Sequence, residues 1–130
     1  MADRPGRRRA EKFGRRGELA AAFWLSLSAY RIRARRVRTP VGEIDLMASR
    51  GHALAFIEVK ARSTVAERDR ALAAVNRSRI VSAAQWWIAR HPHYAGWPMR
   101  FDIIGLAPFS LPRHVKGAFD ATDHRGNSWL

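Results

Sequence analysis

Residues 54–60 read Leu-Ala-Phe-Ile-Glu-Val-Lys, and this segment restricts the fold more than any other. Four consecutive apolar residues can satisfy both faces of a strand, the mark of a strand covered on both sides in the middle of a sheet. Charge then enters at its end. Strand side chains alternate, so Glu58 and Lys60 point to one face and Ile57 and Val59 to the other, and a carboxylate and an ammonium leave a buried strand together. Upstream, residues 43–48 form a second strand, joined to one over 54–61 by the short polar loop 49–52 with Gly51, which predicts a hairpin. On that strand Glu43 and Asp45 share a face opposite Ile44 and Leu46, and pairing of the two strands brings Asp45 towards Glu58.

The remaining elements follow from periodicity. From residue 17 to 28, Leu19, Phe23 and Leu27, with Ala20 and Trp24 alongside, mark the apolar face of a helix, and Glu18 in its first turn suits the helix dipole. Residues 30–37 alternate Tyr30, Ile32, Ala34 against Arg31, Arg33, Arg35, a strand with one basic face, followed by a turn at Thr39, Pro40 and Gly42. A short helix is expected within 68–74, and a clearer one over 80–89 carries Ile80, Ala83, Ala84, Trp87 and Ile88 on one side. Strands at 100–106 and 115–119 complete the series. Helix, three strands, helix, one or two strands predicts an α/β fold: a mixed sheet of four or five strands flanked by helices in three layers. At 130 residues one domain is expected, over 17–119, with a mobile basic arm at 1–16 and a loose end at 120–130.

Charge narrows the partners. Lys and Arg number 24 against 11 acidic residues, a net charge of +13, which favours a polyanion. The excess is uneven, since residues 1–38 hold 12 basic and 3 acidic residues. Absence of cysteine removes disulfides, thiolate nucleophiles and cysteine-ligated zinc, and fits a reducing cytoplasm. The apolar run 19–30 is broken by Ser26 and Ser28 and is too short to cross a bilayer, so no membrane association is expected; Glu11 and Glu18 also count against a secretory signal.

Two carboxylates in a partly buried place raise each other's pKa unless a positive group lies between them. A divalent cation meets that need, and hard oxygen ligands select Mg²⁺ or Mn²⁺ over zinc. Phosphodiester hydrolysis uses the same parts, with Lys60 placed to orient water or to stabilise charge on the phosphate. The structural alternative makes Glu58 and Lys60 strand-end charges and Asp45 a cross-strand partner. Against it, only Lys12, Lys60 and Lys116 are lysine in an arginine-rich chain, so a compact ammonium at 60 has a chemical reason to be there.

An acidic residue on one strand followed by Glu-x-Lys on the next resembles the PD-(D/E)xK nuclease superfamily, with its restriction-endonuclease-like fold. More closely, residues 14–20 (Gly-Arg-Arg-Gly-Glu-Leu-Ala), 42–46 (Gly-Glu-Ile-Asp-Leu), 56–62 (Phe-Ile-Glu-Val-Lys-Ala-Arg) and 100–104 (Arg-Phe-Asp-Ile-Ile) resemble the YraN family of bacterial proteins, similar in turn to Holliday junction resolvases. The resemblance implies Asp45 and Glu58 as metal ligands, Lys60 as the catalytic lysine and Glu18 as an accessory catalytic carboxylate. The chain departs from the family at Asn76, where a lysine is usual, and 65–70 lacks the usual Phe-Gly.

The expected function is therefore a Mg²⁺- or Mn²⁺-dependent endonuclease acting on DNA, with branched DNA implied by resemblance alone. Cutting a branch requires two active sites and hence a homodimer. The alternatives are a non-catalytic nucleic-acid-binding protein that keeps the nuclease fold, or a basic structural protein. Arg7, Arg8, Arg9, Arg15, Arg16 and Arg62 are the expected nucleic-acid contacts. His91 and His93 read as loop residues, Trp86 and Trp87 as a half-exposed residue beside a core one, and Asp102 as the partner of Arg100 or another arginine rather than a ligand.

Overall fold

In the computed structural model the backbone is described for residues 5–119 and side chains for residues 15–117. In chain order the elements are α1 (Pro5–Leu27), β1 (Arg31–Thr39), β2 (Gly42–Arg50), β3 (Ala53–Ala61), α2 (Val65–Leu72), α3 (Arg77–Ala89), a 3₁₀ turn (Pro92–Tyr94), β4 (Met99–Leu106) and β5 (Arg113–Phe119). The five strands form one mixed sheet in the order β1-β2-β3-β4-β5, antiparallel except for the β3–β4 pair. β3 is the middle strand, as its apolar run requires. A parallel neighbour must be entered from the far end of the sheet, and α2 and α3 make that return.

Three layers result. Ala21 and Leu25 of α1 pack on Leu46, Ala48, Ala55, Ile57 and Ile104, while Ile80, Val81, Ala84 and Trp87 of α3 pack on Met47, Leu54, Phe56, Phe101 and Ile103. Caps fix where the second-layer helices begin. Thr64 accepts the Glu67 N–H at 3.1 Å and Asn76 accepts the Arg79 N–H at 3.1 Å, each satisfying a first-turn donor. Asn76, the departure from the family pattern, thus serves as a helix cap.

α1 corrects two expectations. Its helix begins at Pro5 rather than near residue 17, because Gly14 alone does not break it. Side chains of 5–14, Arg7, Arg8 and Arg9 among them, lie outside the described residues, as do residues 1–4 and 120–130. The buried face is also not the one expected: Gly17, Ala21 and Leu25 face the sheet, while Leu19, Phe23 and Leu27 are 55, 67 and 67% exposed. The reason is close approach. A Cβ on Gly17 would lie 2.9 Å from the Ala61 Cβ, so the helix seats Gly17 and Ala21 against the sheet, with Leu25 one turn on, and turns Leu19, Phe23 and Leu27 out.

β1 departs from simple alternation as well. Ile32 packs with the α1 layer, whereas Ala34 and Val37 pack with the α3 layer. A register shift between Ile32 and Ala34 and a left-handed Arg36 at φ 53° account for it, since each rotates the following side chains. On β2, Ile44 sides with the α3 layer and Leu46 with the α1 layer, so these two do not share a face as strict alternation predicts. The β1–β2 ladder places Arg36 opposite Asp45, between Arg35↔Leu46 and Val37↔Ile44, and both strands lose their alternation at that rung.

Candidate active site

The β2–β3 ladder runs from Arg50↔Ala53 to Leu46↔Ile57 and stops there. At the next position the Asp45 carboxylate, not a backbone carbonyl, accepts the Val59 N–H at 2.8 Å. Broken alternation in β2 thus sends Asp45 towards β3, and the two strands open around it. On β3, Glu58 and Lys60 follow Phe56 on one face as period two demands, and their Oε1 and Nζ atoms lie 3.3 Å apart. Both are mostly covered, at 18 and 23% side-chain exposure. Glu43, Asp45, Glu58 and Lys60, together with Asn76 and Arg79 at the start of α3, line a cavity of about 400 Å³.

Glu18 reaches the same place from α1. One carboxylate oxygen each from Glu18, Glu43 and Asp45 lie within 4.8 Å of one another. Glu18 also pairs with Arg36 at 3.3 Å. The sequence expectation joined Asp45 to Glu58 as metal ligands. The tight oxygen group instead joins Asp45 to Glu18 and Glu43, and Glu58 stands beside Asp45 outside that group.

Electrostatics single out Asp45. Burial pushes its carboxyl up to about 7; the charges of Glu58 and Glu43 add to that rise, while the Val59 N–H and Lys60 oppose it. Glu18 is raised too, first by burial and then by Asp45, with Arg36 acting against it. Four carboxylates thus gather in one place; Arg36 pairs with Glu18 at 3.3 Å, Arg38 with Glu43 at 3.9 Å and Lys60 with Glu58 at 3.3 Å, and Asp45 accepts the Val59 N–H. The donor set suits a hard divalent cation, being all oxygen and anionic. The three oxygens, all within 4.8 Å of one another, would have to draw closer together to share one such cation.

Sequence reasoning gave Glu43 no role beyond a shared face and did not single out Arg79 or Arg36. Glu43 was within reach of reasoning, as the i−2 neighbour of Asp45; the two arginines come from other elements and carry no local signal. Arg15 and Arg16 are exposed on α1, and Arg15 lines a neighbouring cavity with Glu18. Arg62 sits past the end of β3 and lines another cavity with Glu67 and Arg70, which shares Ala74 with the one that holds Asp45 and Glu58.

Residues expected to be structural have structural partners. His91 stacks on Trp87 at 3.7 Å and contacts its carbonyl at 2.7 Å; Trp87 is 8% exposed, and Trp86 lies under Arg90. Asp102 is 1% exposed and takes both Nε and Nη2 of Arg100 at 2.8 Å, with His114 at 2.8 Å and the Gly117 N–H at 2.9 Å besides. The arginine partner was expected; the two donors from β5 were not. Among the described residues, no helix is long and apolar enough to cross a membrane.

A three-layer α/β domain with a carboxylate cluster and a lysine at the end of its central strands is the class that fold and site define. A family model described as "Uncharacterised protein family UPF0102" matches residues 17–106, and the chain belongs to that family. A UPF0102 protein from Rhodopseudomonas palustris is 48% identical over 118 residues, covering 91% of this chain and 87% of the relative. One from Bradyrhizobium diazoefficiens is 47% identical over 118 residues, with 91 and 89% covered, and one from Chelativorans is 45% identical, with 91 and 95% covered.

Proposed function

We propose that the chain is a Mg²⁺- or Mn²⁺-dependent endonuclease that hydrolyses phosphodiester bonds in DNA, in the manner of the restriction-endonuclease-like enzymes its motifs resemble, with branched DNA as the favoured form of substrate. One observation carries the reading. Asp45, half-buried and raised to about 7, shares a tight oxygen group with Glu18 and Glu43, while Glu58 and Lys60 emerge beside it from the central strand. Glu18, Glu43 and Glu58 each have a cationic partner, in Arg36, Arg38 and Lys60, whereas Asp45 is held by the Val59 N–H, a neutral donor.

Asp45 and Glu58 hold the cation in this reading, and Glu43 and Glu18 supply further oxygens. The cation contributes Lewis-acid polarisation of the phosphoryl group and a more acidic water. Lys60, held by Glu58 at 3.3 Å, keeps a compact ammonium where charge accumulates on the phosphate, and Arg79 borders the same cavity. The Val59 N–H fixes the Asp45 carboxylate, so this ligand is oriented before any cation arrives.

The test uses purified protein with branched and linear DNA in Mg²⁺ or Mn²⁺. Wild type nicks, and Glu58→Ala does not, although its affinity for DNA without metal holds or rises because a negative charge has gone. If wild type, Glu58→Ala and Lys60→Arg bind equally and none nicks, a non-catalytic nucleic-acid-binding protein replaces this reading.

A further inference from the structure

A second cavity, of about 440 Å³, borders the carboxylate cluster and is lined by Arg15, Glu18 and Leu19 of α1 and by Arg35 and Arg36 of β1. Three guanidiniums from two elements converge on it, and all three residues are exposed to solvent. Glu18 belongs to both places: it lines this cavity and contributes an oxygen to the group with Glu43 and Asp45. The two sites therefore adjoin across one side chain.

Arg36 is the residue whose conformation needs explaining. It adopts φ 53° inside a strand, a left-handed geometry that a side chain with a Cβ disfavours and that recurs where function demands it. That geometry sends its guanidinium to Glu18, at 3.3 Å, while Arg35 beside it remains exposed. Glycine would take this φ without strain, so the arginine is retained for its guanidinium, which reaches Glu18 and the cavity.

We propose that Arg15, Arg35 and Arg36 form a phosphate-binding subsite that holds the DNA backbone phosphate next to the one presented to Asp45, Glu58 and Lys60. The inference rests on the nuclease reading for the identity of the strand it positions. Planar guanidiniums match phosphate oxygens in bidentate fashion, which suits a cavity with three of them. Glu18 governs the charge of the subsite. While it pairs with Arg36 the cavity has one anion against three cations, and a cation that engages Glu18 releases Arg36 to the phosphate. Divalent-cation binding and DNA binding then favour each other, by reciprocal linkage.

The experiment measures binding of a fluorescent DNA oligonucleotide by anisotropy, over a salt series, in EDTA and in Ca²⁺. The proteins are wild type, Arg36→Gly, Arg35→Gln/Arg36→Gly and, as a control, Arg113→Gln on β5 at the other edge of the sheet. Arg36→Gly is expected to keep or raise the melting temperature while weakening binding in Ca²⁺ by about tenfold. The double variant is expected to lower the slope of log K against log salt by one to two, about one for each lost phosphate contact, and the control to change neither. Cavity variants that bind like wild type, or that lose no more affinity than Arg113→Gln, overturn the subsite. In that case the nicking assay still decides the nuclease reading, because wild type either cuts with Mn²⁺ or does not. Should wild type fail to cut while the cavity variants show the expected binding loss, the nuclease reading falls and the phosphate subsite stands as a binding feature.

Discussion

The Asp45 carboxylate stands where a backbone carbonyl ordinarily continues a ladder: one residue past Leu46 in the last paired rung, Leu46↔Ile57, it accepts the N–H of Val59, two residues past Ile57, at 2.8 Å. A side chain in that role opens the sheet without leaving a buried donor unpaired. It also brings an anionic oxygen to a partly covered place among other carboxylates, and that burial, with the charge of Glu58, pushes the carboxyl up to about 7.

Asp45→Asn should stabilise the metal-free protein at neutral pH. A carboxyl raised from 3.8 to about 7 by folding contributes stability that is full below pH 4 and is lost as pH rises through 7, because the folded state binds the extra proton. Asn keeps an acceptor for Val59 and has nothing to ionise. Melting temperatures in EDTA from pH 4 to 8 should therefore show the variant gaining on wild type as pH rises. A constant difference across that range contradicts the raised pKa.

Mn²⁺ binding should release protons at pH 6.5. The raised Asp45 carboxyl must give up its proton to coordinate a cation. Calorimetry in two buffers of different ionisation enthalpy reads the number released, expected to approach one for wild type and to fall towards zero for Asp45→Asn.

Lys60→Arg should separate charge from shape. Arginine keeps the positive charge but spreads it over a planar fork, so a role that needs a compact ammonium is lost. Loss of one well-placed electrostatic contributor costs about 10² to 10³ in rate, and single-turnover nicking with DNA affinity unchanged is the expected result.

Gly17→Ala should destabilise the domain even though alanine is the better helix former. Its methyl would meet the Ala61 Cβ at 2.9 Å, and overpacking of this kind costs about 1–3 kcal/mol against a propensity gain of about 1 kcal/mol. A lower melting temperature should accompany weaker Mn²⁺ binding, because α1 carries Glu18 on the next residue.

Asp102→Ala should be the most damaging of these changes. Burial alone would push the Asp102 carboxyl up, but hydrogen bonds from His114, Arg100 and Gly117 outweigh it and hold the group below its usual value. Removal strands the Arg100 and His114 donors and costs about 3–5 kcal/mol, a large share of a small domain's stability. Denaturant unfolding measures it, and a loss under about 1 kcal/mol rejects the buried network.

By itself, the sequence determined the elements whose neighbours in space are also neighbours in the chain. The β2–β3 hairpin, the central position of β3, the shared face of Glu58 and Lys60 and the α3 core follow from period 2, period 3.6 and short turns, which are local rules. Tertiary structure decided what those rules leave free. Which face of α1 is buried depended on how closely Gly17 can approach Ala61, a contact between residues 44 positions apart. The joining of Glu43 and Glu18 to Asp45 depended on α1 docking beside a rung where Arg36 and Asp45 both break alternation. Periodicity carries no record of such a break, because it arises from the pairing of two strands and the seating of a helix on them.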